Sequence, residues 1–438
     1  MIRAVRCLVS VVLLSAVIAS AQTNTPTAPQ AAPSEASQFD VKAAVDAYLA
    51  KMPPDQRARS DAYFEGGYWL LLWDFLSAAF VLWLMLHFRW SSKMRNLAER
   101  ITRFRPLQTV LYWVQFILVF SILTFPLGIY EGYFREHKYG LLNQNFGEWM
   151  RDQLVGLAVG VVLGAILMVP LFGLVRRLGK TWWVWGAVLM IVFFAFVSLI
   201  APVYIAPLFN KYKSLENVRV KDSILRMARA NGIPARDVYE FDASRQSNRV
   251  SANVSGFANT MRISLNDNLL KRCTLPEIET TMGHEMGHYV LNHTMKLLSG
   301  FVMFALVGFL LARVAFDFAV RKWGDRWGVR GIADPAGFPL LVLIFSTLAF
   351  ALTPIINTIS RNIEREADAF GINTSREADG MAQASLKLGT YRKMNPGPVE
   401  EFIFYDHPSG RARIRMAMDW KAARLPAGNL DKPEPATD

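Results

Sequence analysis

Long runs of apolar residues alternate with polar blocks along this chain. Six runs reach or approach the roughly 20 residues that a helix needs to cross the hydrocarbon core of a bilayer. They cover residues 68–88, 107–129, 154–175, 181–203, 298–320 and 338–358. Tryptophans lie near the ends of several runs, where indole rings favour the membrane interface. The pattern therefore predicts a mainly α-helical protein that crosses a membrane several times.

The first 21 residues have a pattern of their own. Arg3 and Arg6 precede an apolar stretch, which ends in Ala19-Ser20-Ala21. A positive start, an apolar centre and small residues at the end are typical of a secretory signal peptide. An uncleaved N-terminal anchor at residues 1–21 is the alternative.

The rest of the chain divides where apolar runs meet polar blocks. Residues 22–38 are rich in Thr, Pro, Ala, Ser and Gln, a composition that cannot form a core and indicates a linker. A short helical stretch is expected near Val41–Lys51. The segments predicted after the leader are a linker at 22–62, four spans at 63–208, a polar part at 209–297, two spans at 298–358, a second polar part at 359–424 and a disordered tail at 425–438.

Composition agrees with a membrane protein. Of the 438 residues, 52% are hydrophobic and 19% are charged, whereas soluble domains have about 25% charged residues. The formal charge of +12 at first suggests nucleic acid as a partner. The basic residues cluster in short loops beside apolar runs, however, as they do in the cytoplasmic loops of membrane proteins. Nucleic-acid binding is therefore not expected.

The short loops also predict an orientation. Basic residues dominate the loops after the first, third and fifth runs, and alternation places these three loops on one side. The positive-inside rule makes that side cytoplasmic. The two polar parts then face outward, in agreement with a secretory leader. With that leader and linker, a bacterial inner membrane is the expected location.

The candidate chemistry lies in the sequence His284-Glu285-x-x-His288. On a helix, positions i and i+4 project from one face, so the two imidazoles can hold one Zn²⁺ at about 2.0–2.1 Å. Glu285 can accept a proton from a water molecule at the metal. Thr274 and Glu277 form a capping box that predicts the start of such a helix. The alternative is an ordinary amphipathic helix with two surface histidines.

A third ligand is expected from a carboxylate. The chain has two cysteines and six histidines, and no histidine follows the motif at the metzincin spacing. Glu364 and Asp368 are four residues apart on a helix that continues from the sixth run. One of them could ligate the metal while the other accepts an N–H from a ligand imidazole. Glu366 is expected on a different face, solvated or salt-bridged, and His293 is expected to be structural.

Residues 237–265 are predicted to contain short strands. The strands are expected at Asp237–Phe241, Val250–Gly256 and Met261–Leu265. An exposed strand edge beside a metal can hold an extended peptide by main-chain pairing. The candidate substrate-binding positions are Ala252, Val254 and Gly256.

Several separate segments occur in the order found in one known family. They are YIAPLFNKY at 204–212, HEMGHYVLNHT at 284–294, RNIEREADAF at 361–370 and DHPSGRARI at 406–414. Together they resemble the membrane zinc metalloproteases of the CAAX prenyl protease 1 type over most of residues 60–420. The resemblance implies a helical barrel around a water-filled chamber, with a small α+β zincin-like catalytic part formed by the two polar parts.

The resemblance also implies a role for each matching residue. The zinc ligands, for one ion per chain, would be His284, His288 and Glu364. Glu285 would be the general base, and Asp368 would orient a ligand.

Two residues of the DHPSGRARI segment have implied roles as well. His407 would stabilise the oxyanion or hold the substrate carbonyl, and Arg413 would support the site. From its chemistry alone, His407 could equally cap a turn beside Pro408.

The chain departs from the family pattern in two ways. The family's strand carries an Asn-Ala pair five residues before a Gly, whereas this chain has Ser251-Ala252 ahead of Gly256. The eukaryotic members have seven spans and a catalytic part that faces the cytosol. Six spans and an outward site are predicted here.

The sequence and the resemblance together predict an integral-membrane zinc metalloendopeptidase. Its substrates would be peptides or proteins, membrane-bound or lipidated, as in CAAX-type C-terminal processing. Prenylated CAAX proteins are not expected in bacteria, so membrane-protein quality control is the alternative. A non-catalytic scaffold or transporter stabilised by zinc is a further alternative. Glu285 argues against it, because a purely structural site does not need that carboxylate.

Overall fold

The computed structural model describes residues 39–255 and 261–424. The predicted leader and tail, and residues 22–38 of the predicted linker, lie outside these residues. The helices are α1 (Val41–Ala50), α2 (Pro54–His87), α3 (Trp90–Ile101), α4 (Arg105–Ile129), α5 (Glu136–Lys138), α6 (Phe146–Leu178), α7 (Trp182–Ile200), α8 (Val218–Ala230), α9 (Asp267–Arg272), α10 (Leu275–Val290), α11 (His293–Trp327), α12 (Phe338–Ser375), α13 (Ala378–Leu388), α14 (Pro398–Phe404) and α15 (Gly410–Ala422). The strands are β1 (Tyr212–Ser214), β2 (Val238–Phe241), β3 (Ala252–Ser255) and β4 (Arg262–Asn266).

Each predicted apolar run falls on a long helical segment. Within residues 39–255 and 261–424, five helical stretches are long and apolar enough to cross a membrane, and one of them, residues 146–208, contains two of the predicted runs. Its 63 residues would extend to roughly 95 Å as one straight helix, about three times the hydrocarbon thickness. The chain instead turns at Gly179, where φ is 48°, and α6 packs against α7. The two runs therefore form a hairpin of separate helices.

The long helices share one apolar core. Its largest side chains include Tyr112 from α4, Phe172 from α6 and Phe316 from α11, each at most 1% exposed. Many other apolar side chains on the same helices point outward. Examples are Trp73, Phe80, Ile122, Val192 and Leu199. An outward apolar face of this kind suits contact with lipid rather than with water.

Two helices lie wholly or partly in the described part of the linker predicted at 22–62, which corrects its C-terminal boundary. Helix α1 lies in it, close to the helical stretch that was predicted, and α2 begins well before the apolar run at 68–88. This first part of α2 is polar, so hydropathy does not reveal it. Its contacts with the C-terminal region hold it in place: the Ser60 hydroxyl donates to the carbonyls of Gly389 and Arg392. Tertiary packing of this kind supplies most of a helix's stability.

The strands form one sheet in the order β1-β2-β4-β3. The β2–β4 pair is parallel, and the other two pairs are antiparallel. The three predicted strands are present with small shifts at their ends. Strand β1 was missed, because three residues are too few to show an alternating pattern. β3 is a terminal strand of the sheet that the structure describes, and Gly256, just after it, lies outside the described residues.

Candidate metal centre

Two crossing helices bring the predicted metal ligands together. Helix α10 carries His284 and His288, and α12 carries Glu364 beyond its apolar part. Helix α10 begins with the predicted capping box, in which Thr274 and Glu277 each accept from the other's backbone N–H. Local sequence therefore determines where α10 starts, and the spacing of four residues places both imidazoles on one face of it.

Glycines allow α10 and α12 to approach closely. A Cβ atom on Gly371 would lie 2.8 Å from the backbone nitrogen of His284, and one on Gly283 would lie 2.9 Å from the carbonyl oxygen of Gly371. A Cβ atom on Gly287 would lie 3.2 Å from the Cα atom of Ala367. Side chains at these positions would separate the helices. The close crossing lets the carboxylates of α12 reach the imidazoles of α10.

The three predicted ligands lie at the distances of a tetrahedral site. The Nε2 atoms of His284 and His288 are 3.1 Å apart. Oε2 of Glu364 lies 3.2 Å from Nε2 of His284, and Oε1 of Glu364 lies 3.5 Å from Nε2 of His288. Ligand atoms that bind one tetrahedral Zn²⁺ at about 2.0–2.1 Å are about 3.3 Å apart. Among the described residues, these three form a group that could hold a metal ion.

The charges at this centre favour a cation. Burial lowers the pKa of His284, but hydrogen bonds to Asp368 and Glu364 outweigh this effect and raise the pKa to about 10. Burial, together with the charge of His284, lowers the pKa of His288 to about 4. The carboxylates thus stabilise one positive charge between them. A divalent metal ion can supply that charge in place of the proton, so the residues present fit a metal.

Asp368 orients the first imidazole. Its Oδ1 atom lies 2.8 Å from Nδ1 of His284, and a carboxylate can only accept, so this ring nitrogen donates. The other ring nitrogen, Nε2, is thereby directed toward Glu364 and His288. The spacing of Glu364 and Asp368 predicted that one of the two carboxylates would accept from a ligand imidazole, and the resemblance implied that Asp368 has this role.

Arg413 holds the two carboxylates of α12. Its Nε atom lies 2.8 Å from Oδ2 of Asp368, and its Nη2 atom lies 3.2 Å from Oε2 of Glu364. The guanidinium is a rigid planar fork, and Arg413 is 8% exposed. Helix α15, which carries Arg413, therefore contributes to the centre although it is remote in sequence.

His407 closes another side of the centre. Its Nε2 atom lies 3.3 Å from Oε2 of Glu364, and its Nδ1 atom lies 2.7 Å from Oδ1 of Asp406. His407 contacts the ligand set but does not belong to the three-residue group. Asp406, the partner that orients its ring, was not predicted from the sequence, although it directly precedes His407.

Glu285 faces a cavity of about 250 Å³ beside the centre. His284, Asp368, His407 and Arg413 also line this cavity. Burial raises the pKa of Glu285 to about 7, and a divalent cation at the centre would lower it. A carboxylate whose pKa is near the working pH can both accept and return a proton.

The edge of the sheet borders the same cavity. Ser251 and Ala252 line it together with residues of α10, and Ala252 begins β3. Strand β3 pairs with β4 on one side, so its other side is the edge of the described sheet. Val254 lies further along this edge. The expected position of Gly256 cannot be compared with the structure, since it lies outside the described residues.

His293, which was expected to be structural, and Glu366, which was expected to be solvated or salt-bridged, lie next to the metal centre. His293 is 1% exposed, and its Nδ1 atom is 2.9 Å from Nδ1 of His288. Glu366 contacts Nε2 of His293 at 3.2 Å and the ammonium group of Lys296 at 2.6 Å. The salt bridge predicted for Glu366 is thus present. In the sequence, the only signal of these contacts is the spacing of five residues from His288 to His293.

Comparison with known proteins assigns the chain to a family. The profile described as "Peptidase family M48" matches residues 214–421, and the profile described as "CAAX prenyl protease N-terminal, five membrane helices" matches residues 41–211. The uncharacterized metalloprotease YhfN of Bacillus subtilis (strain 168) is 33% identical over 75% of this chain and 77% of its own length. The chain belongs to peptidase family M48.

Further relatives resemble the chain over most of its length. CAAX prenyl protease 1 of Saccharomyces cerevisiae is 25% identical and covers 73% of this chain and 74% of its own length. The human CAAX prenyl protease 1 homolog is 26% identical over 68% of this chain and 71% of its own length. The crystal structure of S. mikatae Ste24p has the same fold, with a TM-score of 0.70 and 20% identity over 90% of this chain and 100% of that chain.

M48 membership confirms the family and the fold class predicted from the sequence. The protein is a metal-dependent protease that several helices embed in a membrane, and its substrates are peptides or proteins. The mainly α-helical architecture with one small sheet agrees with the expected membrane helical barrel and α+β catalytic part.

Proposed function

We propose that this M48 protein is a zinc endopeptidase of a bacterial inner membrane. The observation that carries the proposal is the meeting of His284, His288 and Glu364 at tetrahedral distances beside Glu285. Two imidazoles and one carboxylate with an open fourth position are the donor set of catalytic zinc sites, one ion per chain. Mg²⁺ and Ca²⁺ prefer oxygen ligands. A site with the imidazole nitrogens of His284 and His288 among its ligands therefore favours zinc over either ion.

Each polar side chain at the centre has a distinct task in peptide hydrolysis. Zinc held there would supply Lewis-acid polarisation of the scissile carbonyl and would acidify the attacking water. Glu285 accepts a proton from that water and returns it to the leaving amine. His407 donates from Nδ1 to Asp406, and in its doubly protonated form it also donates from Nε2 to the carbonyl oxygen as negative charge develops there.

Arg413 acts on the ligands rather than on the substrate. It contacts Glu364 and Asp368 at once, so one rigid side chain sets the separation of the zinc-binding carboxylate and the carboxylate that orients His284. Charge-assisted hydrogen bonds of this kind are stronger than neutral ones. Arg413 is therefore a positioning residue in this proposal.

The substrate is proposed to lie along β3 as an added strand. The edge at Ala252 and Val254 would pair with the main chain of an extended peptide, and the neighbouring cavity would take a side chain. Pairing with main-chain groups requires no free terminus, which supports endopeptidase activity. The names of the relatives support CAAX-type C-terminal processing, with a lipidated or membrane-bound protein as substrate.

A peptide panel tests the proposed activity. We expect the purified, detergent-solubilised protein to cleave prenylated C-terminal peptides, to lose this activity when a chelator removes the metal, and to regain it with Zn²⁺. Mass spectrometry would locate the cut sites in prenylated peptides, in the same peptides without the lipid and in a generic pool. Broad cleavage of the pool would contradict CAAX-type processing and indicate quality control. No cleavage by protein with stoichiometric zinc would contradict peptidase function.

We further propose that the metal centre faces outward. Helix α1 packs against α15: Val45 and Leu49 share a core with Ile414, and Asp46 accepts from Arg411 at 2.7 Å. The segment that follows the predicted leader is therefore on the same face as the C-terminal part of the site. A secretory leader would carry that face across the membrane.

Single cysteines can test the orientation. With the natural cysteines replaced, Glu216→Cys would lie in the catalytic part, where the Glu216 side chain is 83% exposed, and Arg103→Cys would lie in the first basic loop. We expect a membrane-impermeant maleimide to label the Glu216 variant in intact spheroplasts and the Arg103 variant only after permeabilisation. The reverse pattern would place the site in the cytoplasm.

A further inference from the structure

We infer that His293 and Glu366 form a hydrogen-bonded relay that orients the metal-ligating imidazole of His288. This inference rests on the metal centre of the proposed function and assigns to both residues a positioning role that the sequence did not suggest. The contacts run from Glu366 to Nε2 of His293 at 3.2 Å, and from Nδ1 of His293 to Nδ1 of His288 at 2.9 Å.

The direction of each hydrogen bond follows from its carboxylate end. Glu366 is paired with Lys296 at 2.6 Å, so it is ionised and can only accept. Nε2 of His293 therefore donates, and Nδ1 of the neutral ring accepts. The partner at 2.9 Å, Nδ1 of His288, must then donate. A neutral His288 with its proton on Nδ1 presents the lone pair of Nε2 to the centre.

The turn between α10 and α11 builds this contact. Asn292 has a φ of 53°, in the left-handed region that Asn tolerates better than most side chains. The chain reverses there, and His293 at the start of α11 folds back against His288. His293 is 1% exposed, so its ring has little room to rotate out of the relay.

One helix thus supplies the three carboxylates that act on the metal-ligating imidazoles, Glu364, Asp368 and Glu366. Glu364 faces both metal-ligating imidazoles, and Asp368 contacts His284 directly. Glu366 projects to another side of α12, where α11 packs against it, and acts on His288 through His293. Each metal-ligating histidine therefore has a carboxylate that orients its ring. Asp368 contacts His284 directly, and Glu366 acts on His288 through the ring of His293. Such partners raise ligand basicity and fix the tautomer.

A pair of variants with matched shape tests the relay. Asn and Leu have nearly the same shape, but only Asn places an acceptor oxygen where Nδ1 of His293 lies. We expect His293→Leu to weaken zinc binding about 10–100-fold, the usual effect of losing such a partner, and His293→Asn to stay within about threefold of wild type. Zinc dissociation constants would be measured on the full-length protein by competition with a chromogenic chelator. The visible spectrum of Co²⁺-loaded protein would report the ligand geometry.

A packing role alone predicts the opposite order. In a position that is 1% exposed, Leu would be tolerated at least as well as Asn, so equal or tighter zinc binding by the Leu variant would overturn the inference. Melting temperatures with chelator present would show whether either variant fails to fold. The failure of the proposed metal centre is distinguishable, since wild-type protein would then bind no zinc, and absence of cleavage by zinc-loaded wild-type protein would contradict the peptidase function but not the relay.

Glu366 provides a second test that does not disturb the core. Its side chain is 51% exposed, so substitutions there should leave the fold intact. Glu366→Gln keeps an acceptor oxygen for His293, whereas Glu366→Leu does not. We expect the Leu variant to bind zinc about 10-fold more weakly than the Gln variant. Equal dissociation constants for the two variants would contradict the relay.

Discussion

Replacement of Glu285 by Gln is expected to lower peptide cleavage by about 10²–10⁴-fold, the usual contribution of a general base. Gln has the same shape but cannot accept the proton of the attacking water. The ligand atoms come from His284, His288 and Glu364, so the variant should still bind one zinc ion per chain. Turnover of a cleavable peptide and the zinc content by elemental mass spectrometry would measure the two effects separately.

Glu279→Gln is the matched control for this change. Glu279 lies on the same helix and accepts from the hydroxyl of Ser223, away from the metal centre. We expect this variant to retain wild-type turnover. If the Glu285 variant also kept wild-type turnover, Glu285 would not be the base. Loss of activity together with loss of zinc would indicate a structural effect instead.

Gly371→Ala is expected to abolish zinc binding and cleavage together. The added Cβ would lie 2.8 Å from the backbone nitrogen of His284, and α12 would have to move away from α10. The two nearest atoms, the backbone nitrogen and the Cα atom of His284, belong to the main chain. No side-chain rotation can therefore relieve the clash. A shift of about 1 Å between catalytic groups can cost 10²-fold in rate, and overpacking costs about 1–3 kcal/mol in stability. Zinc affinity, turnover and melting temperature would all be measured.

Gly156→Ala is the matched control for the helix crossing. Gly156 lies on α6, and a Cβ atom there would meet no other atom within 4 Å in the described part of the chain. We expect that variant to retain zinc and activity, because it adds the same methyl group at a helix position that no other described element contacts. A fully active Gly371→Ala variant would show that the close approach of α10 and α12 is not required for the centre.

Much of the helical framework could be predicted from local sequence. Each apolar run is long enough to demand a helix in a membrane, because no other single segment satisfies its own backbone hydrogen bonds there. The capping box at Thr274 and Glu277 and the spacing of His284 and His288 are also local. They predict one face of one helix without any knowledge of its neighbours.

The polar start of α2 and strand β1 could not be predicted in this way. Hydropathy reveals only helices with an apolar surface, and the segment around Ser60 is helical because it packs against the C-terminal region. β1 is three residues long and exists through pairing with β2. Both depend on contacts between residues that are far apart in the sequence.

The sequence by itself therefore determined the membrane helices, the helix that presents the two histidines, and the residue types from which a metal centre could be assembled. Only the tertiary structure decided which carboxylate serves which imidazole. That choice depends on the distance between α10 and α12, which Gly283 and Gly371 set by lacking side chains, and on the turn at Asn292 that brings His293 to His288. Spacing along one helix specifies a face, but the partner of that face is specified by how closely a second helix can approach it.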